Sequence, residues 1–153
     1  MAEPAAAALG RVEADAHLFP VRVYWEDTDA GGIVYYANYL KFAERARSDM
    51  LRLIGVDQAA IWRDGAMFAV RDVKVEYLRP ARLDDDLLVT TRLDALKGAT
   101  IALRQDISRL GAPLVRAHVR AAFIGLDGRP RRIPPAICAA MERLTGNGRE
   151  EST

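Results

Sequence analysis

Glu26, Asp27 and Asp29 lie within four positions of the stretch YWEDTDAGGIVYYANY, residues 24 to 39, followed by a glycine pair and an aromatic run. Acids so spaced can hold a cation, accept a phosphoryl group, attack a carbonyl, activate water, or cap a turn. A calcium loop counted from Asp27 needs oxygen ligands at its fifth and twelfth positions, where this chain has Gly31 and Asn38. No metal is expected there. Phosphoryl transfer by an Asp-x-Asp pair, as in haloacid-dehalogenase-type phosphatases, requires parallel strands alternating with helices, and the second half of this chain reads as antiparallel.

A solvated turn explains a lone Asp in a Gly-rich segment. It explains less well why Ile33, Val34, Tyr35 and Tyr36 follow in succession, because apolar lining beside a carboxylate suits a pocket wall. If a helix starts near Tyr35 or Tyr36, its unpaired N–H groups and positive dipole end lie close to Asp29. Those N–H groups can hold the oxyanion of an acyl-transfer intermediate while the carboxylate attacks the carbonyl or activates water. A thioester carbonyl is electrophilic enough for a carboxylate to suffice. Histidine-based acyl transfer is disfavoured: His17 falls in what reads as a tail, and His118 alternates with Arg116 and Arg120 on an outward strand face.

The elements that must position these groups are legible in the periodicities. Val21 to Trp25 reads as a short strand that delivers the acids at its exit. Tyr39, Phe42, Ala43, Ala46, Met50, Leu53 and Ile54 form one stripe of a helix over 36–54, closed by Gly55; the stripe is core, and Glu44 and Arg47 are spaced to pair structurally. Alternation over 73–77, 87–93, 101–107 and 115–123, separated by turn-forming segments, predicts four strands in an antiparallel meander. A short helix is predicted from Pro135 to Leu144. A sheet with one face to bury finds one partner, the long helix, which gives an α+β fold with the sheet curled around it.

The 153 residues suit one domain, read as 19–145, with flexible tails at 1–18 and 146–153. Lys and Arg number 22 against 21 Asp and Glu, so nothing global favours nucleic acid or a membrane surface. No segment approaches the roughly 18 consecutive apolar residues of a spanning helix. Cys138 is the single cysteine, which excludes an internal disulfide framework and a thiolate metal cluster and fits a reducing cytoplasm.

YWEDTDAGGIVYYANYLKFAERARSDMLRLIG and FAVRDVKVEYLRPARLDDDL strongly resemble the hotdog-fold acyl-CoA thioesterases of the 4-hydroxybenzoyl-CoA thioesterase class, nearest their Tol-Pal-associated, YbgC-type branch. The resemblance runs from about Val21 to Leu144. It implies a hotdog fold, an acyl-CoA substrate, Asp29 as the catalytic carboxylate, and N–H groups at the helix start, with Tyr36 the matching position, polarising the carbonyl. Val34 and Tyr35 would line the acyl pocket, and Lys97 with Gly98, in the LKGA turn, would contact the nucleotide. Arg79, Arg82, Arg131 and Arg132 are further candidate cations for its phosphates, and the sequence does not choose among them. Family members pair edge to edge as homodimers, often doubled to homotetramers, with active sites at the interface and no cofactor. Many members of the branch carry histidine where this chain has Tyr36, while the 4-hydroxybenzoyl enzymes carry tyrosine; acyl preference therefore stays open. A hotdog hydratase or dehydrase, or a non-catalytic acyl-CoA or acyl-carrier binding module, is the alternative.

Overall fold

The computed structural model describes residues 10–144. In chain order these form β1 (Arg11–Glu13), β2 (Ala16–Arg22), a single 3-10 turn (Trp25–Asp27), α1 (Asn38–Leu53), α2 (Gln58–Arg63), β3 (Ala66–Tyr77), β4 (Asp86–Lys97), β5 (Thr100–Arg109), β6 (Ala112–Gly125) and α3 (Pro135–Glu142). All six strands join one antiparallel sheet in the order β1-β2-β4-β5-β6-β3. The expected α+β arrangement of one long helix against one sheet is present.

The predicted meander holds for β4, β5 and β6 but not for β3. That strand pairs with β6 at one edge, and residues 78–85 carry the chain back to β4 without a hairpin. Pro80 supplies no N–H to a ladder. The neighbouring Ala81, fully buried, bonds instead to the carboxylate loop, its carbonyl accepting the Val34 N–H at 2.9 Å. The connector is therefore part of the site.

The expected tail at 1–18 is corrected at its second half. Residues 11–13 and 16–18 are strand, turned by Ala14 at φ 54°, and Ala16 and His17 are buried. The turn lacks glycine and one buried position is a histidine, so no apolar alternation marks it. Residues 1–9 and the expected tail at 146–153 lie outside the described residues. The strand expected over Val21 to Trp25 ends at Arg22, and Trp25 begins the 3-10 turn with its ring in solvent.

Helix α1 buries Tyr39, Phe42, Ala43, Ala46 and Met50 as its stripe predicts, while Leu51 replaces Leu53 on the buried side. Fully burying a side chain such as Phe42 is worth about 1.5–3 kcal/mol. Tyr39, Phe42 and Ala46 pack with Val21, Val23, Val34, Val89 and Ile107; Met50, Leu51 and Ile54 pack with Leu93, Leu103, Val119, Phe123 and Met141. Between these two apolar clusters runs a buried polar row across the sheet, His17 paired to Thr91 and Thr91 to Gln105. The Gln105 amide donates to the Ala43 carbonyl and to Thr91 Oγ1, both at 3.0 Å, and accepts from Arg47 Nη1 at 2.8 Å. Arg47 Nη2 also pairs with Glu44, as their spacing predicts. The row fixes where along the sheet α1 sits.

Candidate active site

Asp27 and Asp29 are two residues apart and do different things. Asp27 is buried at 4% exposure, its Oδ2 accepting the Tyr24 N–H at 2.8 Å and its Oδ1 accepting from the Asn38 side-chain amide at 2.7 Å. Its carbonyl also accepts the Tyr35 N–H at 2.9 Å. One aspartate thus ties the 3-10 turn to the first residue of α1. Asp29 is exposed; its Oδ1 accepts the Gly31 N–H at 2.8 Å, and its Oδ2 has no hydrogen-bond partner among the described residues. A Cβ on Gly31 would stand 3.2 Å from Oδ1, so the small residue lets the carboxylate fold back over its own turn.

Asp29 is held by a three-layer ribbon. Its N–H donates to the Ile33 carbonyl, Thr28 bridges Val34, and Ile33 in turn bridges Arg82 of the connector. Past this ribbon the chain makes one turn, the Asn38 N–H donating to the Tyr35 carbonyl, before α1 begins. Tyr36 therefore precedes the helix by two residues, where the sequence placed it at the helix start. The delay has a cause: Asn38 is pinned to Asp27, which sets the first helical residue. Among the described residues the N–H groups of Tyr36 and Ala37 donate to nothing, and they stand at the positive end of a 16-residue helix.

Tyr36 borders a hollow of ≈ 270 Å³ that is also lined by Ile33, Val34, Tyr39, Tyr77 and Leu78, with Arg79 and Pro80 at one side. Its wall is aromatic: the Tyr77 ring lies 6.3 Å edge-on from Tyr36 and 5.8 Å from Tyr39. Burial pushes the Tyr39 phenol up, the Ala81 N–H it accepts pulls it down, and the charges of Asp85 and Asp29 add to the upward push. Asp29 is thus within electrostatic reach of the hollow's wall. Among the described residues no cluster of His, Cys, Asp and Glu could hold a metal ion.

The structure brings Asp29, Val34 and Tyr36 to one place. The Tyr35 ring lies 4.9 Å from that of Tyr36, tilted by 50°, and Tyr35 is not among the residues that line the hollow. Lys97 and Gly98 are not brought there within one protomer. Asp86, at the start of β4, pairs with Arg22 beside the loop, whereas Lys97 ends the same strand, roughly 35 Å further along. Gly98, at φ 62°, gives its carbonyl to the Ile133 N–H ahead of α3. His17 is fully buried and its Nε2 lies 2.8 Å from Asp49 Oδ2, on the far side of the apolar cluster from Asp29. His118 is outward-facing as read. Sequence reasoning missed Tyr77, whose alternation in β3 marks it as a strand residue and nothing more, and Asn38, which reads as an ordinary helix-start residue.

Comparison with known proteins follows the same outline. The family described as the thioesterase-like superfamily matches residues 23–141. The acyl-CoA thioesterase YbgC of Haemophilus influenzae is 41% identical over 128 residues, spanning 82% of this chain and 94% of that protein. The acyl-CoA thioester hydrolase YbgC of Escherichia coli O6:H1 is 41% identical over 127 residues, spanning 82% and 95%. Among solved structures, a probable thioesterase from Bartonella henselae is 40% identical with a TM-score of 0.74, covering 78% of this chain and 99% of its own. A DHNA-CoA thioesterase from Staphylococcus aureus, at 20% identity and TM-score 0.81 over 90% and 95%, shares the fold.

Proposed function

The chain belongs to the thioesterase-like superfamily, and from that premise we propose that Asp29 supplies the ionised carboxylate and that the free N–H groups ahead of α1 hold the oxyanion. The protein has the hotdog fold and hydrolyses acyl-CoA thioesters to free acid and CoA. What carries the assignment of Asp29 is the division between the two aspartates. Asp27 uses both oxygens to hold the loop, while Asp29 keeps Oδ2 open on the ribbon whose Ile33 lines the apolar hollow.

The chemistry needs little else. Attack on the thioester carbonyl, by Asp29 or by a water it deprotonates, moves the carbonyl electrons onto oxygen, where the Tyr36 and Ala37 N–H groups stabilise them. Collapse breaks the carbon–sulfur bond and releases CoA as thiolate, which takes up a proton. In the nucleophilic route water then hydrolyses the mixed anhydride. The donors are main-chain groups, so a tyrosine serves at position 36 as well as a histidine would. Val34 forms the floor of the acyl pocket.

We place the working enzyme as a homodimer or homotetramer assembled through β3. That strand is a sheet edge twelve residues long, with exposed Val70 and Val73 facing the exposed Leu40 of α1 across a shallow groove. A long exposed strand edge is a template for pairing unless covered. Among the described residues no helix is long and apolar enough to cross a membrane. We also place it in the cytoplasm: the lone Cys138 thiol is part-buried against the Ile133 carbonyl, with no disulfide partner in the chain.

The deciding experiment is Asp29→Asn, purified and shown to fold, assayed for thiol release across acyl-CoAs of graded length. Turnover is expected to fall by roughly 10²–10⁴. Wild-type-like turnover ends the assignment. Incorporation of ¹⁸O from water into Asp29 separates nucleophilic attack from general-base attack.

A further inference from the structure

Tyr39 sits in the buried stripe of α1, at 4% exposure among Val21, Val23, Val34 and Ala81, where a phenylalanine would bury the same ring at no polar cost. Its hydroxyl is half accounted for. Oη accepts the Ala81 N–H at 2.9 Å, which satisfies a donor on a fully buried connector residue. A phenol both accepts and donates, and among the described residues the Tyr39 O–H proton has no acceptor.

That proton lies beside the proposed reaction centre. The Tyr39 ring lines the apolar hollow with Tyr36 and Tyr77, and it lies 5.8 Å from the ring of Tyr77, whose hydroxyl bonds the Tyr36 carbonyl. Helical side chains lean toward the N-terminus of their helix. The phenol of the second residue of α1 therefore lies over the turn that carries the free Tyr36 and Ala37 N–H groups. Burial pushes the Tyr39 phenol up from its ordinary value against the pull of the Ala81 N–H, so the hydroxyl keeps its proton at neutral pH.

We propose that Tyr39 is a further catalytic residue: its hydroxyl donates to the thioester carbonyl oxygen beside the two main-chain N–H groups, and the Ala81 N–H aims it. The inference rests on the thioesterase reading of the Asp29 loop and adds a side-chain donor to it. Such a bond strengthens as charge builds on the oxygen, and the proton stays with the phenol throughout. Collapse of the tetrahedral intermediate returns the oxygen to a carbonyl and loosens the bond again. The anchor ties this donor to the carboxylate. The Ala81 carbonyl accepts the Val34 N–H at 2.9 Å, and Val34 bridges Thr28, one residue before Asp29. Ala81 thus holds the phenol with its N–H and the ribbon of Asp29 with its carbonyl, which fixes their separation.

Two replacements separate donating from accepting, each assayed on an acyl-CoA that the wild type turns over. Tyr39→Phe removes both functions, and kcat of the folded variant is expected to fall by roughly 10- to 100-fold with KM within about threefold. Difluorotyrosine placed at position 39 keeps the ring and accepts the Ala81 N–H in either ionisation state, but once ionised it cannot donate. Because fluorination makes the phenol more acidic, its kcat should match wild type on the acid side and fall as pH rises through and above neutrality, a fall the wild type lacks. A kcat within about twofold of wild type in Tyr39→Phe, or a fluorinated enzyme whose pH profile overlays wild type, overturns the proposal and leaves Tyr39 an anchor for the connector alone. If Tyr39→Phe does not fold, the pH profile of the fluorinated enzyme decides. Asp29→Asn is run beside them: if it stays active while both Tyr39 replacements behave as expected, the donor stands and the assignment of the carboxylate falls.

Discussion

The Tyr77 hydroxyl donates a 2.9 Å hydrogen bond to the carbonyl oxygen of Tyr36, joining the end of β3 to the turn that precedes α1. Among the described residues that carbonyl accepts no backbone N–H, so the phenol is its one partner. Fixing the carbonyl of Tyr36 fixes the direction of the N–H groups on either side of it, which are the proposed oxyanion donors. Removing one such donor outright costs 10²–10³ in other acyl-transfer enzymes, and loosening it should cost less. Tyr77→Phe is therefore expected to lower kcat by roughly 5- to 20-fold with KM nearly unchanged. Tyr77 is half-exposed, so the thermal midpoint should hold. A kcat equal to wild type would mean that the turn is rigid without the phenol.

Asp27 and Asp29 should separate cleanly when each is replaced by alanine. Asp27→Ala removes the acceptor of the Tyr24 N–H and of the buried Asn38 amide, leaving two donors unpaired. A loss of about 2–4 kcal/mol in denaturant unfolding is expected. Asp29→Ala gives up one exposed bond to Gly31 and should change stability by no more than about 0.5 kcal/mol while abolishing activity. Two aspartates with similar stability costs would contradict the division of labour.

How much of this was open to the sequence depends on whether a residue's role follows from its neighbours in the chain. The α1 stripe and the alternation of β4, β5 and β6 are local periodicities, and both emerged where the pattern put them. The place of β3 did not, because edge pairing with β6 depends on where residues 78–85 run, and a Pro-containing connector resembles a hairpin turn. The aspartates could be singled out but not told apart by spacing; only the Asn38 bond, eleven residues away, assigns Asp27 to the scaffold. Tyr77 lies 41 residues from the Tyr36 carbonyl it holds, and Arg82 lies 49 residues from the Ile33 it bridges, beyond any local signal.

The polar row under α1 makes a third expectation. Gln105 is fully buried and joins Thr91, the Ala43 carbonyl and the Arg47 guanidinium. Leucine fills much the same volume but satisfies none of these groups, and it strands Arg47 beside Glu44 alone. Gln105→Leu should cost about 2–4 kcal/mol despite its greater hydrophobicity. Because α1 would no longer be held at one position along the sheet, kcat should fall as well. A more stable variant would show that an all-apolar interior specifies the same register.

The N-terminal boundary gives the last expectation. Gly10 lies directly over the buried His17–Asp49 pair: a Cβ there would stand 2.6 Å from His17 Nε2 and 2.8 Å from the Leu18 carbonyl oxygen. Neither neighbour can yield easily, one being ring-packed beside Phe19 and the other backbone. Gly10→Ala should therefore push β1 off the sheet, costing about 1–3 kcal/mol. Hydrogen exchange should speed up in residues 11–18 and leave β4, β5 and β6 unchanged. Deleting residues 1–18, which the sequence reads as a dispensable tail, should be worse. It strips the histidine from a carboxylate that is itself only 6% exposed, and breaking a buried pair by removing one partner costs about 3–5 kcal/mol. The sharper comparison is with a chain starting at Gly10, which keeps the pair covered and should retain wild-type stability. If the chain starting at Phe19 is equally stable, the His17–Asp49 contact contributes nothing and the domain begins where the sequence put it.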